Sequence, residues 1–313
     1  MSWYRTRMRI LTVLAAGMLA LVSGCGSGGS APSEEEEQTP AESQEETGTG
    51  QNGKEVREEE EENDMVMEGT EEYRGFLLDN VLHSGENGDI HYNLYVPESY
   101  DGSRPYALFI TLSGYEGLYF QGVGENLYQE SFGFEAQNYI SDMIILAPQL
   151  EDWGETSASQ TIALTEYFLE HYNIDTSRVY IEGYSGGGET LSLVLGSRPE
   201  LYTAALHCSS QWDGAYEPLV ENRTPLYFVI GENDEYYSAE PAREAYDTLH
   251  GMYREAGLSE EETGRLLVLD VKDTSYFTEA GVSNQHGGGN RLFAEDEEIM
   301  GWLFGQTAER SEG

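Results

Sequence analysis

The sequence predicts an α/β fold with a mostly parallel central sheet that is flanked by helices. Three observations predict it. Apolar segments of strand length alternate with helical segments along residues 73–306. The strand predicted at 178–183 runs directly into a helix, as happens at the carboxyl edge of such a sheet. Finally, residues 73–313 have a length that suits one domain.

The predicted elements follow from hydrophobic pattern and turn residues. Two antiparallel strands at 73–83 and 89–96 are joined by a turn at 85–88 that contains two glycines. After the strand at 178–183, Leu191 and Val194 share one face of a helix. Apolar runs predict strands at 105–112, 142–147, 178–183, 201–207, 226–230 and 266–271, and the longer segments predict helices at 157–172, 189–195, 240–256 and 294–304.

The first 24 residues have the pattern of a secretory signal. Three arginines precede the apolar run 10–22, and small residues lead to Cys25. The cysteine after these small residues resembles the lipobox of bacterial lipoproteins. That resemblance implies cleavage before Cys25, lipid attachment to its sulfur, and a location at the cell membrane outside the cytoplasm. An ordinary secretory signal with an incidental cysteine is the alternative.

Residues 25–72 are predicted to form a disordered acidic linker. They contain the unbroken acidic runs Glu34–Glu37 and Glu58–Glu62 among small polar residues. Such a segment buries too little apolar surface to order itself, and its charges repel one another. We therefore expect a flexible stalk between the lipid anchor and a folded domain at 73–313. A specific acidic interaction tail is the alternative.

Composition limits the partners of the chain. It has 58 acidic and 16 basic residues and a formal net charge of −42, which argues against nucleic acid or anionic lipid as a partner. Cys25 and Cys208 are its two cysteines, so lipidation of Cys25 would leave no intrachain disulfide, and Cys208 is expected to be buried beside the sheet. No metal-binding or nucleotide-binding motif occurs in the sequence, so no metal or organic cofactor is implied.

The segment Gly183-Tyr184-Ser185-Gly186-Gly187 contains the most specific motif. A Gly-x-Ser-x-Gly pattern between a strand and a helix is typical of the nucleophile elbow of serine hydrolases, in which small neighbours let strand and helix pass closely. A serine hydroxyl is a weak nucleophile at neutral pH. Ser185 therefore needs a base to accept its proton and a carboxylate to orient that base.

Residues 73–306 resemble the α/β-hydrolase superfamily. Within it they look like secreted esterases of the feruloyl-esterase, acetyl-xylan-esterase and polyhydroxybutyrate-depolymerase type. The similarity lies in Tyr95–Tyr100, ahead of the first central strand, and in the spacing from Arg178 to the elbow. It implies an α/β-hydrolase fold and a catalytic triad in the chain order serine, acid, histidine.

This resemblance selects the other two triad residues. Asp234 follows Gly231 by three residues in the loop after an apolar strand, and the family's Gly-x-x-Asp pattern implies that it is the acid. Asp270 is the alternative, whereas Glu232 and Glu235 are expected to be solvated. His286 is the expected base because it lies in a glycine-rich loop after the last strand. The alternative base is His207, although it precedes Asp234 and so does not follow the chain order serine, acid, histidine. The remaining histidines are expected to be structural or at the surface, namely His83, His91, His171 and His250.

Two backbone N–H groups are expected to form the oxyanion hole. One belongs to Gly186, directly after the nucleophile. The other is expected from Tyr115, in the loop after the strand at 105–112, with Gly114 as the alternative. The sequence His-Gly-Gly-Gly at 286–289 is similar to an oxyanion motif of some lipases, but that motif precedes the nucleophile, so we interpret the match as coincidental.

Aromatic residues are frequent in the loops that follow the strands. Aromatic faces there suit sugars or aromatic acyl groups. The sequence therefore predicts a serine esterase for carbohydrate-linked or short-chain acyl esters. A serine peptidase of the prolyl-oligopeptidase type and a non-catalytic binding lipoprotein with a hydrolase fold are the alternatives. The aromatic residues are Tyr115, Tyr119, Phe120, Tyr128, Phe132, Phe134, Trp153, Trp212, Tyr216, Tyr236 and Tyr237.

Overall fold

A single sheet of ten strands organises the computed structural model of the chain, which describes residues 65–129 and 131–308. In chain order the strands are β1 (Met65–Met67), β2 (Glu71–Tyr73), β3 (Phe76–Ser84), β4 (Gly88–Tyr95), β5 (Tyr106–Leu112), β6 (Met143–Pro148), β7 (Ile174–Tyr184), β8 (Ala204–Cys208), β9 (Leu226–Gly231) and β10 (Leu267–Lys272). Along the sheet the strands follow the order β1-β3-β4-β6-β5-β7-β8-β9-β10, and β2 pairs with β3.

The sheet is parallel over most of its width. Strands β5 to β10 pair in parallel with one another, and β1 to β4 form an antiparallel part that joins the rest through β4 and β6. The carboxyl ends of the parallel strands therefore open at one edge, where ligands bind in α/β folds. This arrangement confirms the predicted fold class.

Helices cover both faces of the sheet. The described helices, in chain order, are α1 (Glu125–Gln129), α2 (Phe132–Glu135), α3 (Glu155–His171), α4 (Gly186–Ser197), α5 (Glu217–Asn222), α6 (Glu240–Glu255), α7 (Glu260–Leu266), α8 (Thr274–Glu279), α9 (Gln285–Glu295) and α10 (Glu297–Gly305).

Alternate residues of the central strands enter two separate cores. Leu108 and Ile110 of β5 pack in a core with apolar side chains of α3, α4 and α6. Their neighbours Ala107 and Phe109 pack in a second core with α2, α9 and α10. Successive strand side chains point to opposite faces, so a continuous apolar run is what a strand buried on both faces requires.

The folded part begins earlier than the predicted residue 73. Met65–Met67 and Glu71–Tyr73 pair with β3, although all of these residues except Tyr73 belong to the segment assigned to the linker. Strands β1 and β2 are formed by backbone pairing with β3 at the edge of the sheet, and most of their side chains are exposed. Hydrophobic pattern therefore gives little sign of them.

The C-terminal helical region also differs from the prediction. The helix predicted at 294–304 is two helices, α9 and α10, because Asp296 leaves helical geometry and its side chain accepts the N–H of Glu298 at 2.9 Å. Helices α5, α7 and α8 lie in segments for which no helix was predicted. For α7 a signal was present, since Ser259 and Glu262 form a capping box.

The predicted signal peptide 1–24, Cys25 and the linker as far as residue 64 lie outside the described residues. Cys208 is buried in β8, as expected. Within the described ranges, no helix combines the length and the apolar character needed to cross a bilayer.

Two glycines provide a matched test of this packing. A Cβ at Gly187 would fall well inside van der Waals contact with the carbonyl of Leu112, whereas nothing lies within 4 Å of a Cβ at Gly251, inside α6. We expect Gly187→Ala to lower the free energy of unfolding by about 2 kcal/mol or more, because the core is overpacked. Gly251→Ala should raise it by about 0.5–1 kcal/mol, because alanine restricts the unfolded chain and favours helix.

Urea denaturation of the two variants and the parent measures both effects. Equal stability of Gly187→Ala and the parent would contradict the close approach of α4 to β5.

Candidate active site

Ser185 lies on a sharp turn between β7 and α4. Its φ and ψ are 55° and −124°, a backbone conformation that is strained for a residue with a side chain. Its N–H donates to the Cys208 carbonyl at 2.9 Å, and its carbonyl accepts the Ser210 hydroxyl at 2.6 Å. A Cβ at Gly183 would collide with the backbone of Gly187, so glycine is required where strand and helix cross. The turn therefore has the geometry of a nucleophile elbow.

The structure brings together the three residues that were predicted as a triad. Ser185 Oγ lies 3.0 Å from His286 Nε2, and His286 Nδ1 lies 2.9 Å from Asp234 Oδ2. With its proton on Nδ1, the imidazole donates to Asp234 and its Nε2 accepts the serine proton. The Asp234 side chain is fully buried, and the imidazole is partly exposed. This chain of contacts can transfer a proton away from Ser185.

Asp234 is held as a carboxylate by its surroundings. Burial alone would raise the pKa of Asp234, but the hydrogen bond and charge of His286 and the N–H groups of Tyr237 and Tyr236 outweigh it, so that the pKa lies below its ordinary value. The two backbone N–H groups donate to Oδ1 at 3.0 Å and 2.9 Å, which leaves Oδ2 for the histidine. Each carboxylate oxygen therefore has a separate partner.

His286 lies in a helix and not in the predicted loop. It is the second residue of α9, which begins at Gln285. Asn284 caps this helix by accepting the Gly287 N–H, and the Glu235 carboxylate accepts the His286 N–H at 2.9 Å. Glycine has low helix propensity, so the sequence 287–289 favoured a loop, whereas the caps stabilise the first turn. Glu235, expected to be solvated, is thus a contact of the histidine backbone.

Tyr184 provides a further support for the same histidine. Its hydroxyl donates to the His286 carbonyl, and the ring is buried next to Ser185. Burial raises the pKa of the Tyr184 hydroxyl well above its ordinary value, so it remains a donor. The residue directly before the serine therefore helps to fix the imidazole that faces it.

The alternative acid and base occupy other environments. Asp270 accepts the Tyr227 hydroxyl at 2.8 Å and pairs with Lys272 at 2.8 Å. His207 is buried, contacts the Gln211 carbonyl at 3.1 Å, and has a pKa lowered to about 4 by burial. Neither residue lines the cavity at Ser185. The other histidines have local partners, namely Asp89 for His83, Asp79 for His91, the Tyr167 carbonyl for His171 and Glu260 for His250.

The loop after β5 lies against the nucleophile. A Cβ at Gly114 would lie 3.0 Å from Ser185 Cβ, so a larger residue would press on the serine. Tyr115 begins a 3₁₀ turn at Tyr115–Gly117, and Gly186 begins α4. The N–H at the start of a helical turn has no acceptor within that turn. Gly186, Tyr115 and Gly114 all line the cavity, as the oxyanion prediction requires.

A cavity of about 590 Å³ opens at Ser185. Four of the aromatic residues predicted to lie near the site line it, namely Tyr115, Trp153, Tyr236 and Tyr237. The other aromatic residues lie outside the cavity lining. Trp212 stacks on Tyr216, and Tyr119 stacks on His91. Phe132 and Phe134 belong to the core, whereas Phe120 and Tyr128 are exposed.

Two features of the cavity were missed by sequence reasoning. The Trp153 ring fills the space next to Gly186, where a Cβ would collide with it, and its buried Nε1 has no hydrogen-bond partner within the described residues. Glu189 accepts the Tyr237 hydroxyl at 2.6 Å. The position of Glu189 in the first turn of the helix that follows the elbow was a signal that could have identified it. Among the described residues, no group of three or more His, Cys, Asp or Glu side chains is arranged to hold a metal ion.

Comparison with known proteins supports the fold. The sequence profile of the prolyl oligopeptidase family matches residues 149–250, a range that includes Ser185 and Asp234. None of the curated proteins matches the sequence. A crystal structure of a thermostable esterase is similar, with a TM-score of 0.58 and 23% identity, over 75% of this chain and 64% of that one.

A structure from a study of two prolyl endopeptidases is also similar, with a TM-score of 0.51 and 11% identity, over 77% of this chain and 38% of that one. The chain thus spans less than two thirds of the length of either structure. At these identities the likeness shows the fold. The protein therefore has the α/β-hydrolase fold, and the matched family and the esterase support a serine hydrolase.

Proposed function

We propose that the protein is a serine hydrolase that cleaves carboxylic esters through Ser185, His286 and Asp234. The observation that carries this proposal is the continuous contact from Ser185 Oγ to Nε2 of His286 at 3.0 Å and from Nδ1 to Asp234 at 2.9 Å. A serine at a strained strand-to-helix turn, beside an imidazole that a buried carboxylate orients, is the arrangement that activates a hydroxyl for acyl transfer.

The reaction follows from these positions. Ser185 Oγ attacks the acyl carbonyl while its proton passes to His286 Nε2, and a tetrahedral oxyanion forms. The imidazolium returns this proton to the leaving alcohol as the ester C–O bond breaks, which gives an acyl-enzyme and a free alcohol. Water then attacks the acyl carbon with His286 again as base, and release of the carboxylic acid restores Ser185. Asp234 remains ionised throughout and stabilises the imidazolium.

Backbone N–H groups stabilise the oxyanion in this proposal. Gly186 donates from the start of α4, and Tyr115 donates from the loop after β5, with Gly114 as the alternative donor. Each such donor typically lowers the barrier by about 3 kcal/mol.

The size and walls of the cavity support a small acyl or sugar ester as substrate. A volume of about 590 Å³ is within the range of small-molecule sites. Tyr115, Trp153, Tyr236 and Tyr237 provide aromatic surface for an aryl group or a sugar ring. The proposed substrates are therefore carbohydrate-linked or short-chain acyl esters.

A serine peptidase is the second candidate function. The observation that favours it is the match of residues 149–250 to the prolyl oligopeptidase family. Esters remain the first choice because the size and the aromatic walls of the cavity suit a small acyl or sugar ester. A panel of aryl esters, acetyl esters and prolyl peptides separates the two candidates.

Labelling with a fluorophosphonate tests the nucleophile. The parent should be labelled on Ser185, and Ser185→Ala should not. Because the triad acts as a unit, Ser185→Ala and His286→Ala should each lower kcat by about 10⁴-fold or more on any ester that the parent hydrolyses.

The matched control is Ser103→Ala, which removes an exposed hydroxyl far from the cavity lining. Labelling that persists in Ser185→Ala would refute both the esterase and the peptidase. Turnover of esters without turnover of peptides would select the esterase.

The lowered pKa of Asp234 gives a pH-dependent contribution to stability. A carboxyl group whose pKa is lower in the folded state than in the unfolded state stabilises the fold at pH values above its unfolded-state pKa. This stabilisation is lost as the pH falls through the folded-state pKa. Asp234→Asn should therefore be less stable than the parent at pH 7, and the difference should shrink as pH falls through about 4 towards 3.

Urea denaturation at several pH values measures this difference, with the exposed Asp213→Asn as the control. A difference that grows towards low pH would contradict the assigned direction.

We further propose that the enzyme is tethered outside the cytoplasm through a lipid on Cys25. The support is the lipoprotein-like sequence before Cys25 and the acidic, low-hydrophobicity segment that follows it. Two or more acyl chains would anchor the protein firmly, since a single chain binds membranes only marginally.

Mass spectrometry of the protein from a bacterial membrane fraction should find cleavage before residue 25 and acyl chains on Cys25. Cys25→Ser should move the protein to the soluble exported fraction or leave it unprocessed, whereas Cys208→Ser should not change its lipidation. An unmodified mature N-terminus in the medium would refute the tether.

A further inference from the structure

A carboxylate lies in the cavity one helical turn from the nucleophile. Glu189 lies in the first turn of α4, four residues after Ser185, and both residues line the cavity. Glu189 lines the cavity, and its Oε1 accepts the Tyr237 hydroxyl at 2.6 Å. The triad does not use this carboxylate.

The surroundings of Glu189 leave its negative charge without a cation. None of the described residues that line the cavity is lysine or arginine. Burial raises the pKa of Glu189, and only the hydrogen bond from Tyr237 lowers it again. A carboxylate has about four acceptor positions, so a single tyrosine hydroxyl leaves most of them available to a donor in the cavity.

Tyr237 connects Glu189 to the reacting atoms. It lies three residues after Asp234, and its N–H binds that carboxylate at 2.9 Å. Its ring contacts His286 with a centroid distance of 5.6 Å. Because Glu189 and Tyr237 line the same cavity as Ser185, a group held by Glu189 lies in the cavity into which the nucleophile opens.

The walls of the cavity also favour a cation. Tyr115, Trp153, Tyr236 and Tyr237 line the cavity, and the faces of aromatic rings attract ammonium groups. Glu116 adds a second carboxylate at the lining. The net charge of −42 increases the local concentration of cations around the whole molecule.

From this arrangement we infer that Glu189 is a specificity residue that selects ester substrates with an ammonium group near the scissile carbonyl. An ammonium group that carries N–H donates to the free acceptor positions of Glu189, whereas a quaternary ammonium group is attracted by the carboxylate charge alone. In both cases the aromatic rings cover its apolar substituents. Carboxylate-bearing substrates are disfavoured by the same charge. This inference rests on the proposed ester hydrolysis and names its substrate class.

Two isosteric pairs of substrates test the inference on both sides of the scissile bond. S-acetylthiocholine is compared with S-(3,3-dimethylbutyl) thioacetate, and glycine ethyl ester with ethyl propionate. For each pair, the charge preference is kcat/KM of the charged member divided by kcat/KM of the neutral member. Comparing the charge preference of the parent with that of the variant cancels the intrinsic reactivity of the substrates and any general loss of activity.

In at least one pair, Glu189→Gln should lower the preference for the charged member by about tenfold or more, because the attraction between the ammonium and carboxylate charges is lost, together with a charge-assisted hydrogen bond where the ammonium group carries N–H. Glu255→Gln removes the same charge from an exposed position on α6 outside the cavity and should leave the preference unchanged. An equal preference in parent and Glu189→Gln for both pairs would overturn the inference.

A second measurement does not depend on the variant. Choline should inhibit the parent at a concentration about tenfold lower than 3,3-dimethylbutan-1-ol does. Equal inhibition by the two compounds would also overturn the inference. If the neutral esters are hydrolysed and the charged esters are not preferred, the inference is refuted but the proposed function is not. If none of the four substrates is hydrolysed and the fluorophosphonate does not label the protein, the proposed function itself is refuted.

Discussion

The close crossing of β7 and α4 is the constraint on which the site depends. Gly183 and Gly187 allow the strand and the helix to approach to backbone contact, and this approach holds Ser185 at a positive φ. The strain at Ser185 is offset by the buried sheet and helix on either side of it. A rigid scaffold can thereby present a hydroxyl towards a cavity at an angle that a relaxed turn would not give.

The parts that meet Ser185 come from distant segments of the chain. Asp234 and His286 follow β9 and β10, and Tyr115 follows β5, so the parallel sheet gathers them at one edge. The contacts then stabilise one another, because the histidine is fixed through its ring by Asp234, through its N–H by Glu235 and through its carbonyl by Tyr184. Local loops alone would not hold an imidazole with this precision.

Much of this arrangement could be predicted from the sequence, because buried parallel strands are continuous apolar runs and the elbow motif is local. The positions of Ser185, Asp234 and His286 follow from chain order within that fold. The helical setting of His286 could not be predicted, since it depends on Asn284 and Glu235 as caps of a glycine-rich turn. Strands β1 and β2 were missed because backbone pairing with β3 forms them, with little apolar burial.

The loop 234–237 combines two tasks in four residues. Its aspartate orients the base, and the N–H groups of Tyr236 and Tyr237 hold that aspartate while their rings form the cavity wall. Side chains at 236 and 237 can change without loss of these N–H groups, but insertions or a proline cannot be accommodated. During divergence, this loop would therefore vary in the chemistry of its side chains and retain its length, so that new substrate preferences arise without disturbing proton transfer.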